Sequence, residues 1–341
     1  MVSSKITDSL RFLQTLTPLK VINGAKIILS YYTSKILRKA IHWGKPLAIA
    51  IEPTTACNLR CPECPSGLRA FTRPTGNLKT NFFQQTLDQI SETCCSLTFY
   101  FQGEPFLNPE FLAMVTYAKK RNLYTVTSTN GHFLSNEIAQ KTVDSGLDRL
   151  IISIDGLTQE TYEGYRKKGN LQQVLDGTRR IINWKQKLNS KTPYVIFQFL
   201  VVSTNEHEIG QLKSLAQELG VDEVRLKTAQ LYDYKNGHAL MPRNEKYSRY
   251  VKKSDGLYQL KNSIQNQCWK MWHSAVITWD GLVVPCCFDK DANHHMGDLK
   301  KKEFNKVWKS DTYQSFRQQI LEGRDKIDIC TNCTEGCSIW A

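Results

Sequence analysis

Short apolar segments alternate with amphipathic ones between residues 47 and 226, and this alternation limits the possible folds more than any other feature of the chain. The apolar segments predict strands at 47–52, 97–101, 124–128, 150–154, 195–202 and 223–226. Helices are predicted at about 80–92, 109–120, 135–146, 158–188 with a break, and 206–219. Six such repeats predict an α/β fold with a parallel sheet and helical crossovers, open or closed as a barrel. In such sheets, ligands bind at the C-terminal ends of the strands.

The 341 residues also contain segments outside this pattern. Residues 1–45 carry eight Lys or Arg against one Asp, and apolar residues recur at helical spacing between 20 and 41. Such a basic amphipathic helix packs on the main domain, or contacts a membrane surface or a partner. Residues 46–228 form the predicted core, 229–267 are polar and predict a linker or bridging region, and 268–341 predict a small second domain.

Lysine and arginine number 45 against 32 aspartates and glutamates, which gives a net charge of +13. This positive field favours anionic partners such as nucleic acid, anionic lipid, a phosphorylated substrate or an acidic leader peptide, without choosing among them. No secretory signal opens the chain, and no apolar run approaches the roughly 18 residues of a membrane-spanning helix. A cytoplasmic protein, free or peripheral to the membrane, is therefore expected. In that reducing compartment the 11 clustered cysteines favour metal binding over disulfides.

The strongest chemical signal is the spacing of Cys57, Cys61 and Cys64 directly after the first predicted strand. Three thiolates can bind three irons of a cubane cluster and leave the fourth iron without a protein ligand. S-adenosylmethionine (SAM) can chelate such an open iron through its amino and carboxylate groups. A structural zinc site is the alternative, but it normally needs four ligands, and no fourth Cys or His lies nearby in the sequence.

A second set of cysteines lies near the C-terminus. Residues 279–281 (Trp-Asp-Gly) predict a tight hairpin turn that brings Cys268 and Cys286 towards each other. Cys330 and Cys333 have the spacing of a metal clamp, and Cys337 could replace one of these four ligands. Four thiolates give a fully ligated cluster suited to electron transfer, while a four-cysteine zinc site remains the alternative.

The Cys-x3-Cys-x2-Cys spacing after a first strand resembles the radical SAM superfamily, and further segments at strand ends follow in the family's order. They are Gln-Gly-Glu-Pro at 102–105, Thr-Asn-Gly at 129–131, Ser-Ile-Asp-Gly at 153–156, Arg166 and Asn205. The resemblance implies a partial (β/α)6 barrel with a SAM-binding [4Fe–4S] cluster on Cys57, Cys61 and Cys64. It also implies SAM contacts from Gly103, Glu104 and Pro105 (amino group), Ser153 and Asp155 (ribose), Arg166 (carboxylate) and Asn205 (adenosine), and a further contact from Asn130 at the end of the third strand. Glu63 departs from the family, which often has an aromatic residue before the third cysteine.

The C-terminal region resembles the SPASM/twitch family of auxiliary-cluster domains. The resemblance includes Asp-Gly-x-x-x-Pro-Cys-Cys at 280–287 and the later segments at 297–298 and 307–308. A full SPASM domain uses at least seven cysteines, whereas this region has six, two of them adjacent. The resemblance therefore implies one auxiliary [4Fe–4S] cluster, held by Cys268, Cys286, Cys330 and Cys333.

Relatives of this architecture oxidise alcohols, modify proteins and peptides, or build cofactors. The resemblance thus implies an enzyme that abstracts a substrate hydrogen with a 5′-deoxyadenosyl radical. Its substrate is expected to be a carbohydrate or other small molecule, or a peptide that it cross-links, epimerises or oxidises. An electron donor such as flavodoxin or ferredoxin and contact of residues 20–41 with a membrane surface are expected, and nucleic acid is not. A zinc-dependent nucleic-acid-binding protein would explain the charge and the cysteines, but not the β-α repeats with their strand-end motifs.

Overall fold

Six parallel strands pair in the order of the sequence, as the β-α repeats predict, and a C-terminal hairpin extends the same sheet. The computed structural model describes residues 2–336, with side chains from Ser4 onward. The strands are β1 (Ala48–Ile51), β2 (Ser96–Thr98), β3 (Tyr124–Thr129), β4 (Arg149–Ser153), β5 (Tyr194–Val201), β6 (Glu223–Thr228), β7 (Tyr250–Lys252), β8 (Tyr258–Leu260), β9 (Ser274–Ile277), β10 (Leu282–Val284) and β11 (Gly297–Asp298). The helices are α1 (Val2–Gln14), α2 (Pro18–Leu37), α3 (Pro65–Leu68), α4 (Thr80–Asp88), α5 (Phe111–Lys120), α6 (Asn136–Asp144), α7 (Gln159–Tyr165), α8 (Leu171–Lys187), α9 (Ile209–Glu218), α10 (Lys270–His273), α11 (Phe304–Trp308) and α12 (Asp311–Gly323).

Helices α6, α7 and α8 begin at polar capping residues, which mark their starts in the sequence. The Ser135 side chain accepts the Ile138 N–H at the start of α6, and Asn170 accepts the Gln173 N–H at the start of α8. These bonds satisfy backbone donors that a helix leaves free at its first turn. The predicted break within 158–188 is the loop between α7 and α8.

The helices cover one face of the sheet with an apolar core. Leu97, Phe99, Phe197 and Phe199 are completely buried on this face. The neighbouring positions point to the concave face of the sheet, since side chains alternate along a strand. Strands β4 and β5 are buried along almost their whole length, as expected for parallel strands.

The C-terminal region continues the core sheet. Strand β9 pairs in parallel with β1, with Ala48 opposite Ser274 and Ile51 opposite Ile277. Strand β10 returns antiparallel to β9, so the predicted hairpin at residues 279–281 is confirmed. The complete strand order is β11-β10-β9-β1-β2-β3-β4-β5-β6. The segment predicted as a second domain therefore shares a hydrogen-bonded sheet with the core.

The N-terminal segment contains two helices, whereas the periodicity predicts one over residues 20–41. Helix α2 begins at Pro18 after the capping residue Thr17. Helix α1 is not predicted because its inward face is built on Asp8 and not on apolar residues. Both helices lie at the N-terminal edge of the sheet: Asp8 pairs with Arg149 at the start of β4, and Lys20 Nζ donates to the Asn122 carbonyl before β3 at 2.7 Å. Among the described residues, no helix combines the length and the apolar character needed to cross a bilayer.

The bridging region 229–267 contains a small β-hairpin, whereas its polar composition predicts a linker. Strands β7 and β8 pair with each other and form a separate two-stranded sheet. The Tyr250 hydroxyl in β7 accepts the Leu231 N–H at 2.9 Å and donates to Asn332 Oδ1 at 3.0 Å. Strands of three residues are too short to show a period, so this hairpin is not predicted from the sequence.

Candidate functional site

The loop that carries the first three cysteines leaves β1 at the C-terminal edge of the sheet. Cys61 is buried, Cys57 and Cys64 are half-buried, and all three belong to one packing cluster. The loop is tied down because the Glu104 N–H donates to the Ala56 carbonyl at 2.7 Å. Burial raises the pKa of Cys57 to about 11, with smaller contributions from Glu104, Cys64 and Cys61. Thiolates here thus need a positive group, such as iron, to offset their loss of hydration.

The Glu104 carboxylate joins the loop after β2 to the end of β3. It accepts the Asn130 N–H at 2.7 Å and the Thr129 hydroxyl at 2.8 Å, and it caps the Phe106 N–H at 3.2 Å. Burial raises the pKa of Glu104 to about 7, against the effect of these hydrogen bonds. Since both oxygens are used by the chain itself, the carboxylate positions this edge of the sheet.

Asn130 connects that edge to the cysteine loop. Its side-chain Nδ2 donates to Asn58 Oδ1 at 2.7 Å and lies 3.9 Å from Cys57 Sγ. The turn at 102–105, the end of β3 and the cysteine loop therefore form one hydrogen-bonded unit. Pro105 is buried within this unit and begins a short 3-10 turn at 105–107.

Gly103 is required where the turn passes the cysteine loop. Its φ is +75°, and a Cβ atom there would lie 2.2 Å from the Thr54 carbonyl oxygen and 2.9 Å from that of Ala56. Its N–H donates to Ser66 Oγ at 2.9 Å. Only glycine combines this conformation with this approach of the backbone.

Arg166 lies between a carboxylate and a predicted cluster ligand. Its Nε donates to Asp155 Oδ2 at 2.5 Å, and its guanidinium lies 3.9 Å from Cys61 Sγ. Burial lowers the pKa of Arg166, but Asp155 and Cys61 outweigh burial and hold it well above its usual value. A permanent, compensated cation thus stands beside the cysteine loop, where an anionic group of a ligand can bind.

The ends of β4 and β5 hold two further predicted residues. Ser153 is buried at the end of β4. Asn205 is completely buried, and its Nδ2 donates to the carbonyls of Asp155 and Leu200 at 2.9 Å each. Its Oδ1 accepts the Val202 N–H at 2.8 Å. Both donors of this amide are used by the chain, so the Asn205 side chain joins the strand ends.

The concave face of the sheet below the cysteine loop has polar walls and an apolar floor. Thr98, Ser128 and Gln198 are half-buried on this face. Deeper in, a separate apolar cluster is formed by Ile151, Tyr194 and Ile196 with Val126 packed against it. This arrangement gives a polar substrate hydrogen-bonding groups near the cysteine loop.

The second set of cysteines comes together around a buried arginine that the sequence does not reveal. Cys268, Cys286, Cys330 and Cys333 line one small cavity with Arg324. One Arg324 Nη donates to Cys333 Sγ at 3.1 Å and to the Glu335 carbonyl at 2.7 Å. Burial lowers the pKa of Arg324, but Cys268, Cys333 and Cys330 raise it above its usual value. Nothing in the sequence separates this arginine from exposed ones.

The chain before Cys337 returns to the same cavity. The Trp269 N–H donates to the Gly336 carbonyl at 2.8 Å, and a Cβ on Gly336 would lie 2.6 Å from Cys268 Sγ. Cys337, the predicted substitute ligand, lies outside the described residues. Cys287 is exposed.

Both donor sets consist of thiols alone, which suits iron–sulfur clusters. Among residues 2–336, no three His, Cys, Asp or Glu side chains converge as ligands of a single metal ion would. A cubane is bound through separate irons, so its thiol ligands need not converge on one point. The residues present thus fit a cluster at each site.

The bridging region links the two sites through Glu63, the residue that departs from the family pattern. Its carboxylate accepts the Tyr232 N–H at 2.8 Å and lies 3.4 Å from His238 Nε2. On the other side, Asn332 Nδ2 donates to the Leu231 carbonyl at 2.7 Å. One segment therefore contacts both the first cysteine loop and the loop of Cys330 and Cys333.

A β/α sheet with a three-thiol loop at its C-terminal edge and a second thiol site on its extension defines an iron–sulfur enzyme scaffold. The family model of the radical SAM superfamily matches residues 51–208. The model of the SPASM iron-sulfur cluster-binding domain matches residues 268–334. The chain belongs to the radical SAM superfamily and carries a C-terminal SPASM domain. Its cofactors are accordingly SAM, a [4Fe–4S] cluster and auxiliary iron–sulfur clusters. The alternative of a zinc-dependent nucleic-acid-binding protein is not favoured.

Curated relatives extend this comparison. The chain is 25% identical over 325 residues to the tungsten-containing aldehyde ferredoxin oxidoreductase cofactor-modifying protein of Pyrococcus furiosus, covering 83% of this chain and 86% of the relative. It is 22% identical over 290 residues to the S-adenosyl-L-methionine-dependent 2-deoxy-scyllo-inosamine dehydrogenase of Niallia circulans, covering 84% and 91%. It is 28% identical over 199 residues to the PqqA peptide cyclase of Gluconobacter oxydans, covering 58% of this chain but only 54% of that relative.

Solved structures share the fold. Streptococcus suis SuiB bound to S-adenosylmethionine superposes with a TM-score of 0.62 at 14% identity, covering 90% of this chain and 74% of SuiB. The predicted α/β fold class is thereby confirmed.

Proposed function

We propose that this enzyme oxidises or rearranges a polar small molecule, such as a carbohydrate, after abstracting a hydrogen atom from it. This choice rests on the fraction of each relative's length that the chain matches. Two relatives named for small-molecule or cofactor chemistry match the chain over 86% and 91% of their own length. The PqqA peptide cyclase matches over 54% of its length. The polar side chains of Thr98, Ser128 and Gln198 on the concave face suit a polar substrate.

At the first site, we assign Cys57, Cys61 and Cys64 as the cluster ligands. Arg166, held by Asp155, is suited to the SAM carboxylate, and Gly103 allows the backbone to approach the amino group. Glu104 and Asn130 fix this edge against the cysteine loop, while Ser153 lies where a ribose contact is expected. With SAM and the cluster bound, the site supplies a 5′-deoxyadenosyl radical. These residues bind and orient SAM and the cluster, and none is assigned as the acceptor of the substrate proton.

At the second site, we assign Cys268, Cys286, Cys330 and Cys333 as ligands of one auxiliary [4Fe–4S] cluster. Oxidation of an alcohol releases one hydrogen atom, one proton and one further electron, and the auxiliary cluster is suited to accept that electron. Arg324 stabilises negative charge on the thiolates through its hydrogen bond to Cys333. The first cluster needs an external donor such as flavodoxin or ferredoxin. Peripheral contact of residues 20–41 with a membrane belongs to the same proposal.

Anaerobic purification and metal analysis test the ligand assignments. About eight irons and eight sulfides per chain are expected for two cubanes. Reduced enzyme with SAM should release 5′-deoxyadenosine, and Cys57→Ala, Cys61→Ala or Cys64→Ala should each abolish the release. Cys95→Ala is the matched control, because Cys95 is buried at the opposite edge of the sheet. Release that persists in the three variants would refute the assignment.

Deuterium transfer tests the substrate class. With a carbon-deuterated inosamine or polyol as substrate, deuterium should appear in 5′-deoxyadenosine alongside an oxidised product. Peptide modification is the second candidate, favoured by the 28% identity to PqqA peptide cyclase. Transfer from a deuterated acidic peptide, with none from the small molecules, would replace the first candidate by the second.

A further inference from the structure

Helices α1 and α2 expose a large apolar surface. Of the 19 large hydrophobic residues exposed in the described part of the chain, 13 lie between Ile6 and Trp43. We call the outward set the N-terminal apolar face; it consists of Ile6, Leu10, Leu13, Val21, Ile22, Ile28, Leu29, Tyr32 and Ile36. Ile36 is 77% exposed and Leu29 60%. Exposed apolar side chains concentrated in this way mark an interaction surface.

The inward face of α2 is more polar than that of an ordinary surface helix. Ile27 and Tyr31 pack in the core, but the other buried residues of the helix are polar: Lys20, Asn23, Ser30 and Ser34. Asn23 Nδ2 donates to the Lys45 carbonyl at 2.8 Å, and Ser34 Oγ donates to the Ile41 carbonyl at 2.7 Å. A surface helix normally turns its apolar stripe to the core and its polar face to water. Most of the apolar residues that recur at helical spacing between residues 20 and 41 therefore point away from the protein.

The charges around this face select an anionic partner. Residues 1–45 carry eight basic residues and one acidic residue, Asp8, which is buried in an ion pair with Arg149. Exposed Lys26 and Lys35 stand on opposite sides of the apolar stripe of α2. Lysines in this position keep their ammonium groups at a headgroup layer while the apolar residues enter it.

We infer that the N-terminal apolar face docks in the interface of an anionic lipid bilayer. The inference builds on the membrane contact in the proposed function, to which it adds the docking face, the lipid charge and the orientation, and it does not depend on the proposed reaction. Because α1 and α2 contact residues at the starts of β3 and β4, they lie at the N-terminal edge of the sheet. The cysteine loop lies at the C-terminal edge. The docked enzyme therefore opens its active site away from the bilayer and takes its substrate from the aqueous phase.

Vesicle flotation tests the docking. The full-length protein should float with vesicles of equal parts phosphatidylcholine and phosphatidylglycerol, and much less with phosphatidylcholine alone. The double variant Leu29→Glu/Ile36→Glu should reduce binding at least about tenfold, because it places charge in the apolar stripe. Leu257→Glu is the matched control, since Leu257 is 45% exposed but lies in the β7–β8 hairpin. Lys26→Gln and Lys35→Gln should each weaken binding about fivefold.

Two results would overturn the inference. The first is flotation of the wild type that is no stronger than that of the double variant. The second is a dimer in analytical ultracentrifugation that the double variant dissociates while vesicle binding is absent, which would make the face a contact between copies. The orientation has its own readout: 5′-deoxyadenosine release should be unchanged at saturating vesicles, and loss of release on docking would place the active site against the bilayer.

Discussion

His42 is a single residue whose ionisation links stability to pH. It is half-buried, with its Nε2 2.9 Å from the Trp272 carbonyl of α10 and its ring against Trp308 of α11. Burial lowers the pKa of His42 to about 3, with a further contribution from Arg317. The folded protein therefore keeps this ring neutral, while the unfolded chain takes up a proton below about pH 6.5.

This difference predicts a specific loss of stability in acid. The contribution of neutral His42 is fully present above about pH 6.5 and declines as the pH falls towards 3, because only the unfolded state binds the proton there. Relative to His42→Gln, which keeps a donor for the carbonyl, the wild type should lose about 1–2 kcal/mol of unfolding free energy between pH 7 and pH 5. Urea denaturation at each pH measures this. His207→Gln, at an exposed position, serves as the control; an equal pH response of the two variants would contradict the argument.

At the level of single residues, the sequence marks the predicted ligands but not the residues that support them. Cysteine spacing predicts Cys57, Cys61 and Cys64 as ligands because the three lie close together in the chain. Arg324 reaches Cys333 only after α12 is packed, so no local pattern marks it. Asn205 likewise joins the ends of two strands through a hydrogen bond to the Asp155 carbonyl, a contact that exists only in the folded chain.

Between elements, a buried ion pair joins β1 to the loop after the cysteines and to the C-terminal hairpin. Arg73 and Glu52 form two hydrogen bonds of 2.6 and 2.9 Å, and their side chains are 4% and 0% exposed. Glu52 also accepts the Trp279 N–H at 3.2 Å. Burial raises the pKa of Glu52, and Arg73 opposes the rise.

Removing Arg73 should therefore be costly. Arg73→Met leaves the Glu52 carboxylate buried without its cation, and we expect a loss of about 3–5 kcal/mol in unfolding free energy. Arg179→Met is the matched control, because Arg179 pairs with Asp176 at the surface with 43% and 39% exposure and should cost under about 1 kcal/mol. Chemical denaturation of both variants compares the costs, and similar values would show that burial does not set the energy of the Arg73 pair.

The elements that the sequence predicts are those whose local pattern agrees with the fold. The predicted limits of all six core strands lie within a few residues of β1 to β6. Helix α1 is missed because Asp8 occupies its inward position and bonds to Arg149, which is distant in the chain, and periodicity cannot report such a contact. The β7–β8 hairpin is missed because strands of three residues are too short to show a period.

For the whole molecule, the parallel pairing of β9 with β1 predicts that the core and the C-terminal region open together. The amides of Ser274–Ile277 and Ala48–Ile51 belong to one ladder, so their hydrogen exchange should be protected to a similar degree. Peptide-level exchange measured by mass spectrometry tests this, with the small β7–β8 hairpin as a fast-exchanging comparison. Much faster exchange in β9 than in β1 would mean that the C-terminal region opens as an independent unit.

The buried polar residues of α2 also limit the rotation of this helix about its axis. A helix held only by apolar packing can rotate about its axis and bury an exposed apolar stripe at a small cost in free energy, because apolar contacts are not directional. The bonds from Lys20, Asn23 and Ser34 have fixed acceptors at three separate carbonyls, and rolling would break all of them in a buried place. The axial rotation of α2 is therefore locked, and its stripe stays outward whether or not anything covers it.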